Sequence, residues 1–173
     1  LKNTKFSVVR YGNVMGSRGS VIPKFIEDKE KKILNITDKD MTRFNITIEE
    51  AISTVIWTLK NAYGSEIIVP KLPSYSIVDL AKSICENCKL NFSGIRPGEK
   101  KHEEMISLEE SRNTIDLNDS YIIYQQNNKK QIEYYKKKFK GKFIKKEFSY
   151  NSKDNKVFLK IGALKKMVAQ KKN

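Results

Sequence analysis

The chain has 173 residues, 39% of them hydrophobic and 31% charged, enough apolar material for one compact core or for two smaller ones. No run approaches the ~18 consecutive apolar residues of a membrane span, and the opening Leu1-Lys2-Asn3-Thr4-Lys5 lacks the apolar core of a signal peptide. The formal charge of +14 is unevenly placed: residues 1–128 carry 18 Lys and Arg against 17 Asp and Glu, whereas residues 129–173 carry 16 Lys, no Arg and 3 acids.

An excess made only of Lys is read as a solvated surface, because base-edge readout favours the arginine fork; nucleic acid is therefore not expected as a partner. The first residue is not Met and a β-rich run begins almost at once, so the chain is expected to be a fragment.

In chain order, residues 6–11 predict a strand that ends at Gly12. Ser20 then predicts a helix start, with Pro23 in its first turn, where a missing N–H costs little. Residues 33–37 predict a second strand. Thr47-Ile48-Glu49-Glu50 has the pattern of a capping box, opening a helix with Ala51, Ile52, Val55, Ile56 and Leu59 on one face. Residues 66–70 predict a buried strand, and Ser76 caps a helix whose Ile77, Leu80, Ala81 and Ile84 keep the 3.6 period. A strand over 90–95 closes at Pro97-Gly98, Ser107-Leu108-Glu109-Glu110 is a further cap, and 121–124 a further strand. Residues 127–146 are polar and Lys-rich enough for a linker or a loosely packed excursion, and a last helix is predicted over 163–170. Alternating strands and helices place the chain in the α/β class with substantial parallel pairing.

Cys85 and Cys88 form a C-x-x-C, but a closed zinc site needs two further ligands and the single histidine, His102, supplies at most one. They are expected to be two unpaired, structural thiols, as in a reducing cytoplasm. No metal site is expected.

Three segments could carry chemistry. Residues 10–20, Arg-Tyr-Gly-Asn-Val-Met-Gly-Ser-Arg-Gly-Ser, place closely spaced glycines between a strand end and a helix start, where backbone can approach a ligand. The spacing is not that of a dinucleotide loop, and such a turn is often only a turn. The other two, Thr37-Asp38-Lys39-Asp40-Met41-Thr42-Arg43-Phe44 and Gly94-Ile95-Arg96-Pro97-Gly98-Glu99-Lys100, each hold one Arg, whose planar fork suits a diphosphate. Glu99 could accept from ribose hydroxyls; the competing reading makes Arg43 and Arg96 ordinary surface or ion-pair residues.

Taken together with Ile68-Val69-Pro70-Lys71-x-Pro73-Ser74 and the continuation to His102-Glu103, these runs resemble the inverting UDP-N-acetylglucosamine 4,6-dehydratases. These are extended short-chain dehydrogenase/reductases of surface-sugar and pseudaminic acid-type pathways. The resemblance covers residues 6 to about 125, and the ending from Phe148 to Leu164 is similar to the C-terminal extension of some members.

The fold it implies is α/β: the last strands of a Rossmann-like parallel sheet, interleaved over 1–126 with the small α/β substrate-binding domain, then a Lys-rich extension over 127–173 ending in a helix. Asn13 matches the position that meets substrate beside the nicotinamide, Tyr11 and Val14 its coenzyme neighbours, and Ile22 the wall of the sugar-nucleotide pocket. Thr37 and Met41 match the uracil site; Arg43, Arg96 and Glu99 match the clamp on diphosphate and ribose, and His102 is structural. One departure is Asn45, where members usually carry Trp, which bears on the packing behind Arg43.

The family's reaction needs NADP, a Tyr-x-x-x-Lys pair and a coenzyme-phosphate loop. None of the catalytic parts is evident here, and the formal match Tyr134-x-x-x-Lys138 is read as chance. The resemblance therefore implies an NADP-dependent cytoplasmic lyase, a homo-oligomer, whose N-terminal half holds the acid, base and most of the coenzyme, and of which this chain alone is inactive. A related UDP-sugar epimerase or dehydratase, or a non-catalytic nucleotide-sugar or polyanion binding module, are the alternatives.

Overall fold

Strands and helices alternate as the apolar periodicity requires, and a computed structural model, which describes residues 4–170, sorts them into two compact units. In chain order the elements begin with β1 (Val8–Val9), β2 (Asn13–Val14), α1 (Val21–Asp28), β3 (Ile33–Ile36), β4 (Thr42–Ile46) and α2 (Ile48–Asn61). They continue with β5 (Ile67–Pro70), β6 (Ser74–Ser76), α3 (Ile77–Ile84), β7 (Lys89–Phe92), β8 (Glu104–Ile106) and α4 (Leu108–Ser111). The last are β9 (Thr114–Asp116), β10 (Ser120–Ile123), α5 (Lys129–Phe139), β11 (Lys142–Phe143), β12 (Tyr150–Asn151) and α6 (Ile161–Gln170).

The first unit comprises the chain up to Tyr11, Ile48–Lys71 and Glu104–Tyr150. Its sheet runs β1-β5-β10-β9-β11: β1 lies parallel to β5, with Val8 opposite Ile67 and Val9 opposite Ile68, and the other pairs are antiparallel. Ile68, Ile115 and Ile122 are fully buried there. The cap predicted at Ser107 is a complete capping box, its hydroxyl accepting from Glu110 N–H and the Glu110 carboxylate accepting from Ser107 N–H, a device of about 1 kcal/mol. Arg10 adds a two-pronged bond to the same carboxylate, at 2.8 and 2.9 Å, and donates to Met105 O at 2.7 Å.

One expectation changes in this unit. Residues 127–146 are no linker: α5 buries Tyr135 and Gln131 completely, and Gln131 Nε2 donates to Gly64 O at 2.7 Å and to the buried Glu66 carboxylate at 2.6 Å. The lysines hid this, because α5 docks through Gln131, Ile132, Tyr134, Tyr135 and Phe139 while its Lys side chains stay in solvent. The apolar face read on α2 lies largely open to solvent. Ala51 and Thr58 are buried, whereas Ile52, Val55, Ile56 and Leu59 are 51%, 40%, 45% and 81% exposed. β1, at the sheet edge, likewise leaves Val8 exposed.

The second unit comprises Gly12–Thr47, Leu72–Glu103 and the chain from Asn151. β2 lies parallel to β4, β4 antiparallel to β6, and β3 parallel to β7 over four residue pairs. Helices α1, α3 and α6 supply Ile22, Phe25, Leu80, Ala81, Leu164 and Val168 to one core with Leu34, Ile36 and Met41. The C-terminal segment is stitched in by backbone, Ser74 N–H to Val157 O and Leu159 N–H to Ser74 O, each at 2.8 Å.

The thiol expectation is corrected in this unit: Cys85 and Cys88 are joined in a disulfide. Cys85 ends α3 in an extended conformation, φ −146° and ψ 99°, which brings the two Cα atoms to 5.4 Å, within bonding range.

Candidate functional site

β4 fixes the site because it is buried at all five positions, so the chain must bring Arg43 and Asn45 inside with Phe44 and Ile46. The Arg43 guanidinium is satisfied locally: Nη1 donates to Thr42 O at 2.8 Å and Lys101 O at 3.0 Å, Nε lies 3.5 Å from Glu103, and Nη2 lies 3.9 Å from Glu99. Asn45 is 2% exposed, and its Oδ1 has no hydrogen-bond partner among the described residues, an unpaired acceptor in the strand that carries Arg43.

Around Arg43 the second unit folds a cavity of about 250 Å³. The β2–α1 turn forms one wall, with Gly19 at φ +76°, a conformation that L side chains rarely adopt, and with Ile22 on the first turn of α1. Ser20 is the N-cap residue but makes no side-chain capping bond, and its Oγ has no partner among the described residues. Thr37 and Met41 enter from the β3–β4 connection, where Asp38 accepts from Asp40 N–H and Lys101 pairs with both carboxylates. The backbone hydrogen bond from Asp40, with Lys101 beside it, holds the Asp38 carboxyl below its ordinary range.

Of the residues predicted to bind, Asn13, Val14, Ile22, Thr37, Met41, Arg43 and Glu99 all line this cavity. Glu99 is tied in directly, accepting from Thr37 Oγ1 at 3.2 Å and from the Arg96 N–H at 3.4 Å. Arg96 itself is exposed and its side chain is not among the lining groups; Tyr11 belongs to the first unit and is 40% exposed.

Sequence reasoning missed Tyr75, which lines the cavity from β6 directly opposite Arg43. Burial pushes its hydroxyl up to about 12, with Arg43 pulling the other way and Glu103 adding to the rise. A large aromatic follows the Pro73-Ser74 turn in the sequence, but nothing in the spacing gives its face. His102 bridges to β4 through Thr42 Oγ1 at 2.8 Å, and Thr42 in turn meets Ser152 at 2.7 Å, so the C-terminal segment braces the strand that carries Arg43. Partial burial, then Lys153, Lys101 and Arg43, hold the His102 ring below the ordinary histidine range.

The Tyr134–Lys138 pair is in contact, Lys138 Nζ donating to Tyr134 OH at 2.9 Å, yet Tyr134 packs among Tyr63, Tyr135 and Phe139 and its hydroxyl donates to Asn61 O. It is a packing pair of the first unit.

The family model described as polysaccharide biosynthesis protein matches residues 1–125. The chain belongs to that family. It is 41% identical over 162 residues to the inverting UDP-N-acetylglucosamine 4,6-dehydratase of Campylobacter jejuni, covering 89% of this chain and 48% of that protein. It is also 40% identical over 125 residues to a UDP-glucose 4-epimerase of Rickettsia conorii, covering 69% of this chain and 37% of that protein. The X-ray structure of Pen from Bacillus thuringiensis superposes with a TM-score of 0.81 at 32% identity, over 97% of this chain and 51% of that one. The chain thus spans about half the length of the curated relatives it matches. The α/β architecture of this family member is the one expected of an extended short-chain dehydrogenase/reductase, and β1 and β5 pair in parallel. Among the described residues no helix is long and apolar enough to cross a membrane.

Proposed function

We propose that this chain is the sugar-nucleotide-binding portion of an inverting UDP-N-acetylglucosamine 4,6-dehydratase acting in bacterial surface-glycan or pseudaminic acid-type synthesis. The observation that carries the reading is convergence: residues from segments far apart in the chain, Asn13 and Ile22, Thr37 and Met41, Arg43 and Glu99, line one cavity. Its volume of about 250 Å³ is close to the ~300 Å³ lower end of small-ligand clefts.

In this reading Thr37 and Met41 flank the uracil, a hydroxyl to hydrogen-bond its edge and a thioether against its face. Arg43 meets the diphosphate with charge-assisted bonds, and Glu99 accepts from the ribose hydroxyls. Arg43 already faces Glu99 and Glu103, so binding exchanges part of an internal ion pair for a phosphate. Ile22 walls the sugar side. Arg96, on the exposed loop before Glu99, closes over the diphosphate once a ligand is present.

NADP is the coenzyme in this proposal, met here by Tyr11, Asn13 and Val14. The residues fit its edge alone: Tyr11 and Asn13 are exposed, and Val14 lines the cavity beside Asn13. When bound, the coenzyme supplies reversible hydride acceptance. Asn13 orients the sugar at the cavity mouth, and the apolar wall of Ile22 and Met41 excludes water from it. The catalytic acid and base lie in an N-terminal half, and this chain alone is inactive.

The first unit is then the end of the coenzyme domain, its β1 edge and α2 face covered by that half, and the second is the substrate domain with the C-terminal extension folded into both. The working enzyme is a cytoplasmic homo-oligomer.

The match to the Campylobacter dehydratase supports this reading over the epimerase, because it runs 162 residues against 125. The test is product analysis. Full-length protein given UDP-N-acetylglucosamine should release a 4-keto-6-deoxy sugar nucleotide inverted at C5; simple C4 epimerisation, or no turnover, would overturn the assignment.

A further inference from the structure

Tyr75 and Arg43 are register partners on antiparallel strands, so their side chains stand side by side on one face, with β-carbons within about 4.5–5.5 Å in such pairs. Both line the cavity. Tyr75 is 4% exposed, yet its hydroxyl forms no hydrogen bond among the described residues. Nor is that hydroxyl sealed in: among the described residues the fully buried side-chain polar atoms without a partner are Ser20 Oγ and Asn45 Oδ1. A buried tyrosine ordinarily finds a partner for its O–H, and a wall that needed only apolar bulk would be served by Phe or Met.

The geometry points to Tyr75 as a ligand-contacting, specificity-determining residue whose hydroxyl donates to the diphosphate of the bound nucleotide beside the Arg43 fork. This inference rests on the nucleotide reading of the cavity given above. A phosphate oxygen only accepts, so the group facing it must be a donor. With its pKa pushed up to about 12, the phenol keeps its proton through the neutral range and donates throughout. Glu99 and Glu103 already face the Arg43 charge, so a neutral donor beside it adds to the hold on the phosphate. The hydroxyl therefore discriminates nucleoside diphosphate from nucleoside.

The test is calorimetric titration of full-length protein and its Tyr75→Phe variant with UDP and with uridine. Tyr75→Phe should weaken UDP about tenfold, as expected for one hydrogen bond to a charged acceptor, and leave uridine unchanged. Tyr75→Met, which also lacks the hydroxyl but packs differently, should show the same UDP-selective loss, which guards against a folding effect in either variant. Unchanged UDP affinity in both, or equal losses for UDP and uridine, overturns the inference. Arg43→Lys run in parallel separates the two layers. If it weakens UDP selectively while Tyr75→Phe does not, Tyr75 alone is misassigned; if the parent binds uridine as tightly as UDP, the diphosphate reading fails and Tyr75 with it.

Discussion

Gly12→Ala is the smallest change that should disturb both the fold and the site. A Cβ built on Gly12 lies 2.4 Å from the Phe44 Cβ, with the Phe44 carbonyl carbon and oxygen each at 3.1 Å. Carbon atoms in contact sit about 3.5–4.0 Å apart, so the added methyl forces a displacement of more than about 1 Å. Phe44 is fully buried and cannot swing away, and the two backbone atoms mean that β4 itself must move. Overpacking of this kind costs about 1–3 kcal/mol. At roughly 2–4 °C per kcal/mol for a domain of 150–250 residues, the melting temperature of the domain that holds β4 should fall by about 2–12 °C. β4 carries Arg43 and is paired through Asn45 to Asn13, so UDP affinity should drop in the same variant. Thermal melts and a UDP titration on the full-length protein check both. A Gly12→Ala protein that melts with the parent and binds UDP equally well would refute the close approach and the coupling drawn from it.

Acid should weaken the first unit through Glu110, whose carboxyl Arg10 holds below its ordinary range. Because the folded pKa is depressed, its stabilisation is present above the unfolded value near 4.5 and is lost as pH falls through the lower folded one. Melts between pH 6 and 3 should show that loss, and Glu110→Gln should melt lower at pH 6 with a flatter acid limb; an identical profile would remove the pair from the account. The exposed α2 face gives a second expectation: the isolated chain should bind a hydrophobic dye and self-associate. Ile52→Glu with Leu59→Lys should reduce both while sparing the melting temperature, and a monodisperse, dye-negative parent would contradict the open face.

The elements were largely legible because periodicity and capping are local. Ser107 and Glu110 close their box as their spacing required, and Ile77, Leu80 and Ala81 turn inward as a 3.6 repeat must. What escaped was decided by tertiary partners. The burial of α5 depends on Gln131 reaching Glu66 across 65 residues, which no local pattern of lysines reveals. The α2 stripe was correctly seen as apolar, but amphipathicity says only that a face wants cover, not that this chain supplies it. In the site, motif residues such as Thr37 and Glu99 met as their order implied. Tyr75 joined them through strand register alone, and Arg96 stayed outside on its loop.

One cavity built from separate motifs is proposed to receive the uridine diphosphate. A crystal structure of the full-length protein with UDP tests it most directly. The diphosphate should lie against Arg43, the ribose hydroxyls at Glu99 and the uracil between Thr37 and Met41. UDP bound elsewhere, with the Arg43–Glu99 and Arg43–Glu103 pairs undisturbed and the cavity empty, would contradict it.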